Sequence, residues 1–82
     1  MYSTQVGNEL KAIRNRNNLT LENVEKQLGI KKNTLSIYEN NSEKIQMGTL
    51  EKLLNFYNED IYIFFKNVSE YIHKTNNKEK EE

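Results

Sequence analysis

Apolar residues recur along most of this chain at intervals of three and four, the spacing that lines one face of an α-helix. The first such group is Val6, Leu10 and Ile13. It predicts a helix over residues 5–17, because a pair of asparagines then offers a stop.

A second helix is predicted to begin after Thr20, a good N-cap whose hydroxyl can accept a free backbone N–H. Its apolar positions are Leu21, Val24 and Leu28, and Gly29 ends it. Two short helices joined by a glycine-containing turn are then expected, because helical spacing resumes directly after this glycine.

The third helix is predicted over residues 32–40, with Leu35 and Tyr38 on its inner side. Its other side is polar and is the more informative one. The residues expected to face outward are Lys32, Asn33, Ser36 and Ile37. The cluster Asn40-Asn41-Ser42 follows as a turn, since asparagine tolerates the left-handed conformation.

Two further helices complete the pattern. The fourth is expected to bury Met47, Leu50, Leu53, Leu54 and Tyr57. Asp60 is a plausible N-cap for the fifth, whose apolar stripe is long and wide. The stripe comprises Ile61, Phe64, Phe65, Val68 and Ile72, widened by Tyr62, Ile63 and Tyr71.

The pattern predicts an all-α fold of five helices whose C-terminal helix is extended. With 82 residues, the chain has room for one domain, which we place at residues 1–72. Residues 73–82 are polar and charged, so they cannot bury enough apolar surface to offset ordering, and we expect a flexible tail.

Composition excludes several classes of function. The chain has no cysteine and one histidine, His73 in the expected tail, so we predict neither a metal site nor a catalytic one. No glycine-rich phosphate loop is present, so we predict no enzyme, no cofactor and no small-molecule ligand. The longest apolar run, residues 61–65, is far too short to span a membrane, and we expect a cytoplasmic protein without a membrane partner.

Charge is balanced overall but unevenly placed. Twelve basic and twelve acidic side chains cancel. Residues 1–44 nevertheless carry seven basic and five acidic groups, whereas the remainder carries five and seven. A local basic surface therefore accompanies the first three helices, and any binding to nucleic acid there should weaken with salt.

The run VGNELKAIRNRNNLTLENVEKQLGIKKNTLSIYENN, residues 6–41, resembles the Cro/C1-type (XRE) helix-turn-helix family without a gap. The similarity continues more loosely through TLEKLLNFYNEDIYIFF and so covers about three quarters of the chain. It implies a lambda-repressor-like domain that binds double-stranded DNA through its third helix. It also implies that Arg14 and Glu39 form a structural ion pair between the first and third helices.

The same resemblance implies roles for the outer residues of the third helix and its neighbours. Lys32, Asn33 and Ile37 would read base edges, because lysine can reach guanine acceptors, asparagine can pair with adenine and isoleucine can pack on a thymine methyl. Contacts to phosphates are implied for Lys31, Thr34, Ser36, Asn40 and Lys44. Lys31 departs from the family, which commonly has a capping serine there, and Leu21 stands where the family commonly has glutamine.

The fifth helix carries more apolar surface than one small core hides. Part of its stripe could be core, but we favour a homodimer interface made of Phe64, Phe65, Val68, Tyr71 and Ile72. A dimer would place two recognition helices about one DNA turn apart, roughly 34 Å, to read a palindrome.

These observations favour a sequence-specific, homodimeric transcriptional regulator. Repression by occupancy is preferred, because so short a chain has little spare surface for recruiting polymerase. The alternative is an antitoxin or anti-regulator of the same fold that acts mainly through protein contacts of its C-terminal helix.

Overall fold

The computed structural model describes residues 2–70, and these form five α-helices and one short 3-10 helix. The helices are α1 (Tyr2–Arg16), α2 (Leu21–Leu28), α3 (Lys32–Asn40), α4 (Met47–Phe56) and α5, which occupies residues 61–70. The 3-10 helix, Ser42–Lys44, links α3 to α4. The all-α prediction is confirmed, whereas the predicted tail, Tyr71 and Ile72 lie outside the described residues.

One hydrophobic core joins all five α-helices. Every α-helix contributes at least one side chain that is almost completely buried. The core consists of Val6, Leu10, Ile13, Val24, Leu35, Leu50, Leu53, Leu54, Tyr57, Phe64 and Val68. Removing a large side chain from such a core costs about 2 to 5 kcal/mol of folding free energy.

The first helix begins three residues earlier than the apolar pattern indicated. It starts at Tyr2 rather than at residue 5, because residues 2–4 contain neither proline nor glycine to stop it. It ends where Asn18 adopts the left-handed conformation, with φ of 58°. There the backbone N–H of Leu19 donates to the carbonyl oxygen of Arg14.

The ends of α2 are set by the residues that predicted them. The hydroxyl of Thr20 accepts the backbone N–H of Asn23, and the Asn23 side chain accepts that of Thr20, which makes a capping box. Gly29 ends the helix with φ of 76°, and its N–H donates to the carbonyl of Glu25. The chain can therefore turn sharply into α3.

Asparagine adopts the left-handed conformation outside the predicted turn cluster, after α1 and after α4. Asn18 and Asn58 have φ of 58° and 60°. Asn41 is instead extended, because its side-chain oxygen accepts the backbone N–H of Glu43 and caps the 3-10 helix. Asp60 accepts the N–H groups of the first turn of α5, so that predicted cap is confirmed.

Two expectations about the last two helices are wrong. Met47 is the first residue of α4 and is 57% exposed, because the core contacts of that helix begin one turn later. On α5, Phe64 and Val68 are 0% and 2% exposed within the chain itself, so they are not surface residues of a dimer interface. Phe65 is half-buried against the core.

No helix within residues 2–70 is both long and apolar enough to cross a membrane.

Candidate functional site

The outer face of α3 is open to solvent at the positions that the family resemblance assigns to base reading. Lys32 and Asn33 are exposed, and Ile37 is 58% exposed although it is apolar. Asn33 and Ile37 are i, i+4 neighbours on one face of the helix, and Lys32 lies next to Asn33 as the first residue of α3. A solvent-exposed apolar side chain that lies among polar ones is suited to contact with another molecule.

The five residues assigned to phosphates lie within α3 or next to its ends along the chain, and they differ in burial. Lys31 precedes α3, Asn40 ends it and Lys44 ends the 3-10 helix, and all three are exposed. Thr34 and Ser36 are half-buried. The outer face together with these five residues is called the α3 surface below.

A buried ion pair fixes α3 against α1. Arg14 Nε lies 2.7 Å from Glu39 Oε2, and Arg14 Nη2 lies 3.0 Å from Glu39 Oε1. The paired hydrogen bonds raise the pKa of Arg14, so the guanidinium stays charged. The third nitrogen, Nη1, donates to the carbonyl oxygen of Leu19 at 2.7 Å. One side chain thus joins α1, the loop before α2 and the end of α3.

Tyr57 lies close to this pair at the end of α4. It is only 5% exposed, and burial raises the pKa of its phenol to about 12, with a further increase from the Glu39 carboxylate and an opposing effect of Arg14. The phenol is neutral at physiological pH with or without this increase, so the buried ring acts in packing.

Gly7 allows α1 to approach the end of α3 more closely than any other residue would. A Cβ placed on it would lie 2.7 Å from the carbonyl oxygens of both Tyr38 and Glu39. Periodicity does not identify this position, because a glycine in a helical run reads only as a weak helix former.

The connection after α3 is anchored by a serine. The hydroxyl of Ser42 is buried and donates to the carbonyl oxygen of Tyr38 at 2.7 Å. This bond satisfies a carbonyl at the C-terminal end of α3. Ser42 is also the first residue of the 3-10 helix that ends at Lys44.

One contact of the α3 surface was not foreseen from the sequence. Lys32 Nζ lies 3.6 Å from Glu22 Oε2, which belongs to the first turn of α2. Both side chains are more than half exposed. The two residues are ten positions apart and carry no sequence signal of their contact, because the contact depends on how α2 crosses α3.

Among residues 2–70, no group of three or more histidine, cysteine, aspartate or glutamate side chains is arranged to hold a metal ion. Glu51 lies away from the α3 surface, in a cleft that it lines together with Glu59 and Asp60 where α4 meets α5.

Comparison with known proteins gives a family match and a small set of similar proteins. A helix-turn-helix family model matches residues 10–64. Antitoxin HipB from Escherichia coli O6:H1 (strain CFT073) and from Escherichia coli (strain K12) is in each case 38% identical over 55 residues, 66% of this chain. Those alignments span 58% and 62% of the two relatives, which is less than two thirds of their length.

Among solved structures, the BldD DNA-binding domain from S. venezulae superposes with a TM-score of 0.69 at 28% sequence identity. The match covers 77% of this chain and 94% of that domain.

Proposed function

The chain belongs to the Cro/C1-type helix-turn-helix family, and from that premise we propose that it is a DNA-binding transcriptional regulator that inserts α3 into the major groove. The observation that carries the proposal is the α3 surface, on which Lys32, Asn33 and Ile37 are exposed. The same helix is anchored to α1 by the buried ion pair of Arg14 with Glu39. Similarity to a solved DNA-binding domain supports the same reading.

The division of labour on the α3 surface follows from side-chain chemistry. Lys32 and Asn33 carry donors that match guanine and adenine acceptors, and Ile37 offers an apolar contact to a thymine methyl. Lys31 and Lys44 flank them as cations for phosphates, which orient the helix without reading sequence. Thr34, Ser36 and Asn40 supply neutral hydrogen bonds to the same backbone.

The finer proposal is repression by a homodimer bound to a palindromic operator. Since Phe64 and Val68 are buried, the apolar side chains available to a second copy on the described part of α5 are Ile61, Tyr62 and Ile63. Tyr71 and Ile72 remain in the proposed interface as residues outside the described range. A protein bound in the major groove at a promoter blocks RNA polymerase simply because it occupies the site.

The rival function is that of an antitoxin or anti-regulator acting through protein contacts. Two findings favour keeping it: the similarity to antitoxin HipB, and the same exposed apolar residues of α5, which could bind a different protein as well as a second copy. The two functions differ in which surface is indispensable.

The decisive experiment is selection of binding sites from a random duplex library at two salt concentrations, followed by variants of the α3 surface. Lys32→Ala with Asn33→Ala should abolish sequence preference while leaving the fold intact, because both side chains are exposed. Lys66→Ala with Asn67→Ala is the matched control, since it removes the same two residue types from exposed positions of α5. Equal loss in both variants, or none in either, would contradict the proposal.

A reporter experiment separates repression from activation. A selected site is placed across a promoter, and transcription is compared with and without the protein. Occupancy predicts less transcript, with recovery in the Lys32→Ala, Asn33→Ala variant. More transcript would contradict repression while leaving DNA binding in place.

A further inference from the structure

We propose that Glu22 lowers the affinity for DNA by occupying the ammonium group of Lys32, from which a bound duplex must displace it. The inference rests on the proposed DNA-binding function and adds a residue to which neither the family resemblance nor the chemistry of base reading assigned a role. Its basis is the 3.6 Å contact between Lys32 Nζ and Glu22 Oε2.

The contact bears on DNA binding because of where Glu22 lies. Glu22 lies in the first turn of α2, and its partner is the first residue of α3. Lys32 is thus held toward α2 by a carboxylate that is itself largely exposed. DNA approaching α3 therefore meets a negative charge beside the lysine that would bind it.

Non-specific and specific DNA differ in the groups that can compete with the Glu22 carboxylate for Lys32. Any duplex offers phosphates, which Glu22 repels and which must compete with it for Lys32. A matching site also offers base acceptors at a fixed distance from the helix, and a bidentate or well-placed base contact adds free energy that phosphates do not. Breaking the Lys32–Glu22 contact costs the same free energy whichever duplex takes the lysine, so the carboxylate weakens binding to both. The loss is at least as large on the matching site, because there the base contact draws Lys32 away, whereas on non-specific DNA the lysine can stay with Glu22.

The strength of the contact suits such a role. An exposed ion pair contributes between nothing and about 1 kcal/mol, so its loss changes an affinity by up to about fivefold. A pair of that strength can be displaced by DNA, whereas the buried pair of Arg14 with Glu39 cannot serve as a switch because breaking it would unfold the site.

The test uses Glu22→Gln, which keeps the shape of the side chain and removes its charge. Its matched control is Glu51→Gln, which changes the net charge equally at an exposed position away from the α3 surface. Dissociation constants are measured for a selected duplex and for a scrambled duplex over a series of salt concentrations.

The expected result has two parts. Glu22→Gln should bind the selected duplex on the order of threefold to fivefold more tightly, with an equal or smaller gain on the scrambled duplex, so that the specificity ratio does not fall. Its salt dependence should steepen by up to about 0.9 in the slope of log K against log salt, because one more lysine is free to neutralise a phosphate. Glu51→Gln should show neither change beyond the effect of net charge.

Repeating the substitution in a Lys32→Ala background shows whether Glu22 acts through the lysine. The gain on both duplexes should then shrink, since there is no ammonium left to release. An undiminished gain would overturn the proposal, because Glu22 would then act on phosphates directly. Identical behaviour of Glu22→Gln and Glu51→Gln in the original background would overturn it as well.

A measurement without DNA keeps the inference separate from the proposed function. The side-chain ammonium resonance of Lys32, observed by NMR in the free protein, should move on Glu22→Gln and stay in place on Glu51→Gln. If the protein binds no duplex at any salt concentration, the proposed function fails. If it binds DNA but the Lys32 resonance does not move on Glu22→Gln, the inference alone fails.

Discussion

At the scale of single residues, Gly7 occupies a position with no room for a side chain. Gly7→Ala should lower the free energy of unfolding by about 1 to 3 kcal/mol, because the added Cβ would meet two backbone carbonyl oxygens at 2.7 Å and force α1 away from α3. Urea denaturation followed by circular dichroism measures the change.

Gly48→Ala is the matched control for this prediction. Gly48 lies in α4 and has no neighbour within 4 Å of an added Cβ. Because alanine is the better helix former, the control should be neutral or stabilising by up to about 1 kcal/mol. Equal destabilisation by both substitutions would mean that Gly7 is not a contact residue.

Tyr57 predicts an alkaline limit to stability. Its pKa is raised from 10.0 to about 12 in the folded protein, so the folded state holds the phenolic proton more tightly than the unfolded state does. The resulting stability is complete below pH 10 and is lost as the pH rises toward 12, by about 2 to 3 kcal/mol in total. Tyr57→Phe should flatten this part of the stability curve.

Tyr62→Phe provides the comparison for the pH experiment. Tyr62 is 72% exposed, so its phenol has no comparable burial to lose. Unfolding free energies of the three proteins are compared across the same pH range. A Tyr57→Phe curve parallel to that of the wild type would show that another group sets the alkaline limit.

The residue scale also shows what sequence reasoning could reach. The pairing of Arg14 with Glu39 across 25 positions was expected only through a family resemblance, since nothing in periodicity links those two residues. Gly7 and Glu22 carried no such signal. Their roles arise from distances between helices, and such distances are set by packing rather than by local sequence.

At the scale of elements, α3 lacks a side chain to cap its first turn. Lys31 occupies the N-cap position and makes no capping hydrogen bond. Lys31→Ser should therefore raise the unfolding free energy by about 1 kcal/mol, because a serine hydroxyl can accept a free backbone N–H. The same substitution should weaken DNA binding uniformly across sequences, because it removes a cation proposed to contact phosphate.

Two measurements decide this prediction, namely the thermal unfolding midpoint and the affinity for selected and scrambled duplexes. Lys26→Ser is the control, since Lys26 is an exposed lysine in α2 that caps no helix. A stabilised Lys31→Ser variant with unchanged affinity for both duplexes would remove Lys31 from the α3 surface.

Element boundaries were predictable where the sequence carried a stop signal. The bounds of α2 and α3 agree with the predicted ones, because Thr20, Gly29 and the asparagines after α3 act locally. The start of α1 was missed, since no capping residue marks it. The role of Asn41 could not be predicted, because an asparagine can either turn left-handed or cap with its side chain, and only the following 3-10 helix selects between the two.

At the scale of the whole molecule, the proposed dimer would form through the exposed residues of α5. Tyr62→Glu with Ile63→Glu should convert a dimer into a monomer with little change in unfolding midpoint, because both side chains are exposed in the single chain. Sedimentation equilibrium gives the mass. A wild type that is already monomeric at all concentrations would contradict the dimer.

The control for self-association is Lys66→Glu, a charge change at another exposed position of α5. Substitution of Phe64 is unsuitable, because that side chain is fully buried and its loss would cost about 3 to 5 kcal/mol of stability. The apolar stripe of α5 therefore splits into a part that folds the chain and a part that remains free to bind.

The three-way attachment made by Arg14 has a consequence for local motion. Its guanidinium holds α1, the loop carrying Leu19 and the end of α3 at once, so none of these segments can open without breaking the shared bonds. Amide hydrogen exchange in α1 and at the end of α3 should then proceed at one common, slow rate that follows global unfolding. Fraying should be confined to the segments that this arginine does not touch.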